Sequence, residues 1–218
     1  GLMSAVIVTG ILPIFENTFK ITTDISLLEL ADLNHPLLKE MVINAPGTYH
    51  HSLVVGNLAE AACETIGANP LLARVASYFH DVGKIEKPAY FSENQSNESS
   101  VHDKLSPSMS SLIIMNHVKN GVELAQKYRL NREIIDIIKQ HHGTGVVFYF
   151  FKRALEKLPD EEVGEQSFRY PGPKPQTKEA ACVLLADSVE AASRALDDPT
   201  ASRIKGLVRK IINNKFID

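Results

Sequence analysis

An all-α fold is predicted by three observations. Apolar residues recur at helical spacing in segment after segment, prolines and capping residues mark where those segments start, and no internal repeat or low-complexity tract divides the 218 residues. At 44% hydrophobic, the chain can bury one substantial core. A net charge of −3 gives no reason to expect a nucleic-acid polymer, which usually needs a basic face, but leaves room for a small anionic ligand. Cys63 and Cys182 lie in apolar helical segments without metal-type spacing and read as buried free thiols of a reducing compartment.

Along the chain, Leu2 to Phe15 is apolar and nearly uncharged, but about 14 residues fall short of the roughly 20 that span a bilayer. Gly10 and Pro13 interrupt it, so it reads as a core segment or as the tail of a truncated membrane helix. Ser26-Leu27-Leu28-Glu29 has the form of a capping box, and Pro36 opens a short helix that stops before Pro46-Gly47. Thr48 is placed to cap the next helix, where His51 shares a stripe with Val54, Val55 and Leu58 while His50 points elsewhere.

His80 ends the stripe Leu72, Val75, Ala76, Phe79, with Gly83 positioned to stop that helix. Ser106-Pro107 opens a long helix that carries His117 on the face of Ile113, Ile114 and Leu124. From Glu133 to Gln140 a helix presents Ile134, Ile137 and Ile138, then His141. Gly143-Thr144-Gly145 ends it there and lets His142 turn toward the same place. Thr177 starts a helix through Val183, Leu184 and Leu185 in which Asp187 interrupts the apolar run; a buried carboxylate there needs a cation.

Five histidines and two aspartates, most of them on buried helix faces, would be a heavy unsatisfied polar load without metal. A histidine beside a carboxylate, as in His80-Asp81, can serve two ions, the ring binding one and the carboxylate bridging to the other. The absence of cysteine ligands argues against structural zinc, and imidazole with carboxylate suits iron or manganese. The chain thus reads as a binuclear metallohydrolase, in which two ions hold a bridging hydroxide and clamp a phosphodiester for in-line attack. Lys84, three residues beyond Asp81, is placed to contact a phosphate oxygen and stabilise developing charge. Ser52 diverges from its helical neighbour His51, so no protein nucleophile competes. His102-Asp103 reads as a hydrogen-bonding loop pair. Arg169, Lys174 and Arg194 are weaker candidates for a second phosphate. Tyr90 and the run Tyr149 to Phe151 are candidates for stacking on a base, although core packing is the better expectation for that run.

These residues carry a resemblance. The order His, His-Asp, His, His-His, Asp is similar to that of the HD-domain phosphohydrolase superfamily. Pro46-Gly47-Thr48-Tyr49-His50-His51-Ser52, His80-Asp81-Val82-Gly83-Lys84, His102-Asp103-Lys104-Leu105-Ser106-Pro107, Tyr170-Pro171-Gly172-Pro173-Lys174-Pro175 and Ala186-Asp187-Ser188-Val189-Glu190-Ala191 narrow it. Together they resemble the cytosolic HD domain of the bacterial seven-transmembrane HD proteins, the PgpH type of cyclic di-AMP phosphodiesterase.

The resemblance implies an HD-domain helical bundle over residues 26–218. It implies that residues 1–25 follow a membrane helix in a parent protein, making this a cytoplasmic domain of a bacterial cell-membrane protein. It makes His51, His80, Asp81 and Asp187 ligands of one metal, with Asp81 bridging to a second held by His117, His141 and His142, and iron or manganese as the metals. Cyclic di-AMP is the implied substrate, opened to linear pApA; a homodimer is left open. HD-GYP enzymes, as the family is known, follow their paired histidines with a glutamate and soon a Gly-Tyr-Pro; Gly143-Thr144-Gly145 stands here instead, which argues against cyclic di-GMP and a third metal. Two alternatives stay open: a phosphohydrolase of mononucleotides or alarmones, and an inactive nucleotide-sensing module.

Overall fold

The computed structural model describes residues 22–95, 100–157 and 163–217, with Gly1, Met3, Gly10, Ile11 and Thr18 described singly. Most of the apolar segment Leu2 to Phe15 therefore lies outside the described residues. Among the described residues nine α-helices follow in order: α1 (Asp24–Leu30), α2 (Pro36–Asn44), α3 (Pro46–Ile66), α4 (Pro70–Phe79), α5 (Pro107–Lys127), α6 (Arg132–Gln140), α7 (Phe148–Lys157), α8 (Lys178–Ser193) and α9 (Ala201–Ile217). Between α4 and α5 the described residues include short 3₁₀ turns at Val82–Glu86, Pro88–Tyr90, Ser92–Asn94 and Val101–Lys104. Among the described residues there is no strand, only one antiparallel bridge between Val146 and Arg169, and no helix long and apolar enough to cross a membrane.

Helix starts follow proline. Pro36, Pro46, Pro70 and Pro107 each occupy a first-turn position, where the missing N–H costs nothing. Asn69, Ser106 and Thr177 accept first-turn N–H groups as caps. Three local expectations are corrected. Thr23, not Ser26, caps α1, and the Ser26 hydroxyl donates back to the Thr23 carbonyl. Thr48 does not cap α3, because Pro46 starts that helix two residues earlier and leaves Thr48 buried inside its first turn. Gly83 does not end α4, which stops at Phe79; it lies in the 3₁₀ turn Val82–Glu86. A Cβ on Gly83 would fall 1.9 Å from the His117 carbonyl oxygen, so glycine is needed for close approach rather than for a left-handed cap.

Helix α4 is the central element, in contact with α1, α3, α6 and α8. Val75, Ala76 and Phe79 from α4, Val55 and Ala59 from α3, Ile134 and Ile138 from α6 and Val183 from α8 close one core around it. A smaller cluster of Phe150, Ala154 and Phe168 packs beneath α7. The histidines lie on the same buried faces, so burying the core draws them together.

Candidate metal centre

His51 on α3, His80 directly after α4, His117 on α5, His141 directly after α6 and Asp187 on α8 converge with Asp81, all of them buried. His142 completes the set and is half-buried. One oxygen of Asp81 faces each half of the cluster. Oδ1 lies 3.3 Å from His117 Nε2 and 3.6 Å from His141 Nε2, whereas Oδ2 lies 3.5 Å from His51 Nε2 and 3.3 Å from His80 Nε2. Two groups of ligand atoms result, each within 4.8 Å of one another: His51, His80, Asp81, Asp187 and Asp81, His117, His141, His142. Asp187 touches both halves, with Oδ1 3.1 Å from His51 Nε2 and Oδ2 3.5 Å from His142 Nδ1.

The rings are oriented from behind. Nδ1 of His80 donates to the Ser77 carbonyl at 2.6 Å, that of His117 to Ile114 at 2.5 Å and that of His141 to Ile138 at 2.7 Å. Glu190 takes the same position for His51, its carboxylate 2.5 Å from Nδ1. A proton on Nδ1 leaves Nε2 with a bare lone pair facing inward, the tautomer that binds a metal. His117 Nε2 and His141 Nε2 then face each other at 3.2 Å, lone pair to lone pair. Among the described residues His80 Nε2 and both Asp81 oxygens are buried without a directed hydrogen bond. Converging bare nitrogens and unsatisfied carboxylate oxygens are what a cation would satisfy, and this donor set fits two metal ions.

The electrostatics agree. Burial opposes ionisation of Asp81 and Asp187, yet the surrounding His80, Lys84 and His51 outweigh it and hold both carboxyls well below the usual range. Burial opposes charging His80, but Asp81 and Asp187 push its pKa up to about 10. For His141 and His142 burial prevails, reinforced by neighbouring histidine charges, and both stay neutral. Without metal the cluster would hold its carboxylates by protonating His80.

Lys84 is not a solvated loop lysine. Its Nζ donates to Glu93 at 2.6 Å and sits 2.7 Å from Asp81 Oδ2, with the side chain only 12% exposed. Burial lowers its pKa, but the Asp81 and Glu93 charges overcome this and keep it charged. Glu93 also accepts from the Thr48 hydroxyl, and Asn94 donates to that hydroxyl and accepts the Thr48 N–H. Glu93, Glu190 and Tyr170, whose ring stacks on His142 with centroids 4.2 Å apart, belong to the site and were not singled out in the sequence. A signal existed for Glu190, which follows Asp187 by three residues and so shares its helix face.

The remaining candidates lie elsewhere. His50 is exposed, and Ser52 is buried without contacting the His51 ring nitrogens, which Glu190 and Asp187 occupy. His102 Nε2 bonds the Tyr90 carbonyl at 2.8 Å, and Asp103 pairs with Arg153, the loop role expected of them. Arg194 pairs with Glu190 at 3.2 Å, and Arg169 with Glu165 and the Thr144 carbonyl. The aromatic run divides: Phe150 is buried and Tyr149 is 67% exposed. Lys174 borders a cavity of about 240 Å³ with His142, Pro175, Leu184, Leu185 and Lys215.

The model of the HD domain family matches residues 48–192, a span that holds every one of the candidate ligands. The chain belongs to the HD domain family. This HD domain is 50% identical over 218 residues to the cyclic-di-AMP phosphodiesterase PgpH of Bacillus subtilis (strain 168) and 47% identical to that of Listeria monocytogenes serotype 1/2a (strain 10403S). The whole chain is covered in both matches but spans only 30% of each relative's length. Among solved structures, the HD domain of Listeria monocytogenes phosphodiesterase PgpH superposes with a TM-score of 0.80 at 48% identity, covering 85% of this chain and 86% of that one. The same domain in complex with cyclic di-AMP matches at 0.79 and 49%, covering 84% of each chain.

Proposed function

We propose that this HD domain is a metal-dependent phosphodiesterase that opens cyclic di-AMP to linear pApA, acting within a longer membrane protein to which residues 1–25 connect it. The observation that carries the reading is Asp81, buried with one oxygen toward each group of imidazoles. His51, His80, Asp81 and Asp187 would hold one ion and Asp81, His117, His141 and His142 the other, with iron or manganese favoured by the imidazole and carboxylate donors. When bound, the pair would supply Lewis acidity toward a phosphodiester and the means to ionise water near neutral pH. The relatives named cyclic-di-AMP phosphodiesterase, and the structure bound to that dinucleotide, support the substrate.

The chain's own residues do the rest. Glu190 and three backbone carbonyls fix the imidazole tautomers, so no reorganisation is needed when substrate arrives. Lys84 donates to Glu93 and forms an ion pair with Asp81 at 2.7 Å, which holds its ammonium charge at the centre for a phosphate oxygen. The cavity beside His142, apolar below and bordered by Lys174 and Lys215, offers room for part of a nucleotide next to the centre.

Incubating the manganese-loaded or iron-loaded protein with cyclic di-AMP and identifying products by mass spectrometry tests this. Linear pApA is expected. Asp81→Ala should lose turnover by at least the roughly 100-fold that removal of an outer partner of a ligand can cost, and bind less metal. Full turnover in that variant would end the two-metal reading. Preference for a mononucleotide over any cyclic dinucleotide would transfer the site to the other phosphohydrolase reading.

A further inference from the structure

Tyr170 begins the run Tyr170-Pro171-Gly172-Pro173 and is tied to the loop after the paired histidines. Its N–H donates to the Gly145 carbonyl at 2.9 Å, and the neighbouring Arg169 guanidinium donates to the Thr144 carbonyl at 2.8 Å. So anchored, the ring lies on the face of His142, centroids 4.2 Å apart and planes 28° from parallel, and meets His117 edge-on at 6.2 Å. It therefore covers two of the three imidazoles in one half of the centre.

The phenol has no internal use for its hydroxyl. Among the described residues that hydroxyl makes no hydrogen bond, and Tyr170 is half-buried with its ring packed on its neighbours. Its ring packs against His142 and His117, two residues of one candidate ligand group, so the phenol lies against the centre. A phenol offers an O–H donor at neutral pH. A phenol O–H donor set against metal-binding imidazoles suits an anion with oxygen acceptors.

We infer that Tyr170 binds the substrate phosphate: its hydroxyl donates a hydrogen bond to a non-bridging oxygen of the phosphodiester, while its ring holds His142 in orientation. This rests on the phosphodiesterase reading above, and names a second donor that works with Lys84. Tyr170→Phe keeps the ring and removes only the hydroxyl, so metal content and thermal stability should be unchanged. kcat/KM should fall roughly 10- to 100-fold, the range for losing a hydrogen bond to a charged group, with both cyclic di-AMP and bis(p-nitrophenyl) phosphate. Inhibition by inorganic phosphate should weaken by a similar factor. Tyr170→Leu, which also removes the ring, should in addition lower metal occupancy.

The outcomes separate cleanly. Wild-type turnover of bis(p-nitrophenyl) phosphate but of no cyclic dinucleotide would remove the substrate assignment, and the loss in Tyr170→Phe on the simple diester would still uphold the phosphate role. Unchanged kcat/KM on both diesters with unchanged phosphate inhibition would overturn that role while leaving the phosphodiesterase in place. A Tyr170→Phe protein that lost metal or stability without weaker phosphate inhibition would also overturn it, by showing a purely structural tyrosine.

Discussion

Glu190 does for His51 what a backbone carbonyl does for His80, His117 and His141, but with a full charge. A carboxylate behind an imidazole fixes the tautomer and makes the ring a stronger ligand. Glu190→Ala should therefore lower metal affinity roughly 10- to 100-fold, whereas Glu190→Gln, which still offers an acceptor to Nδ1–H, should lose less. Metal titration of the stripped proteins reads both, and equal affinities in all three would show that Glu190 merely pairs with Arg194. Of the seven candidate ligands, His51, His80, His117, His141 and Asp187 were legible because each sets a polar group on an apolar helical stripe, whereas Asp81 and His142 were read from their histidine neighbours and the family resemblance. Glu190 shares the helix face of Asp187 but acts on a residue 139 positions away, and Glu93 and Tyr170 lie outside the α-helices, where no periodicity marks what they meet. Lys84 was legible as a charge near Asp81, but its burial was not, because that depends on Glu93 arriving from a separate turn.

At the scale of elements, the helix starts at Pro36, Ser106-Pro107 and Thr177 were readable, since proline and capping chemistry are local. Ser26 and Thr48 misled because a stronger start lay two or three residues before each. Gly83 misled for a different reason: what it serves is contact between two elements. The turn Val82–Glu86 crosses α5 so closely that a Cβ on Gly83 would meet the His117 carbonyl at 1.9 Å and the Gly121 nitrogen at 2.4 Å, both of them backbone. Neither can swing aside as a side chain would. Gly83→Ala must push the turn from α5, separating Asp81 and Lys84 from His117. Overpacking of this kind costs about 1–3 kcal/mol. In a protein of this size that lowers Tm by roughly 2–12 °C, and turnover should fall further than stability does. Calorimetry beside an activity assay checks both; wild-type values for each would mean the turn has slack. Gly47 makes the parallel contact, its Cβ position 1.8 Å from the Glu93 carbonyl, and sets where the partner of Lys84 lies.

For the whole molecule, the centre is where α3, α4, α5, α6 and α8 meet, so metal occupancy and global stability are linked. A metal that binds only the folded chain stabilises it by RT ln(1 + [L]/Kd), about 2.7 kcal/mol at a hundred times Kd. The corresponding rise in Tm is roughly 5–11 °C, and a chelator should reverse it. The sign of its pH dependence follows from His80. In the metal-free protein the His80 pKa is raised from 6.5 to about 10, so its contribution is fully present below pH 6.5 and fades as pH rises toward 10. Asp81 and Asp187, held well below the usual carboxylate range, stay ionised across that interval, and His141 and His142, pulled down, stay neutral. Metal needs the imidazoles unprotonated, so binding must displace the His80 proton, and apparent affinity rises with pH through the same interval. Both effects point one way: the difference in Tm between metal-loaded and metal-free protein should widen from pH 6.5 to pH 9. Scanning calorimetry with and without a chelator measures it directly. A gap that narrowed as pH rose would mean that His80 is not the proton the metal replaces, and would place the cation outside the His80-Asp81 pair.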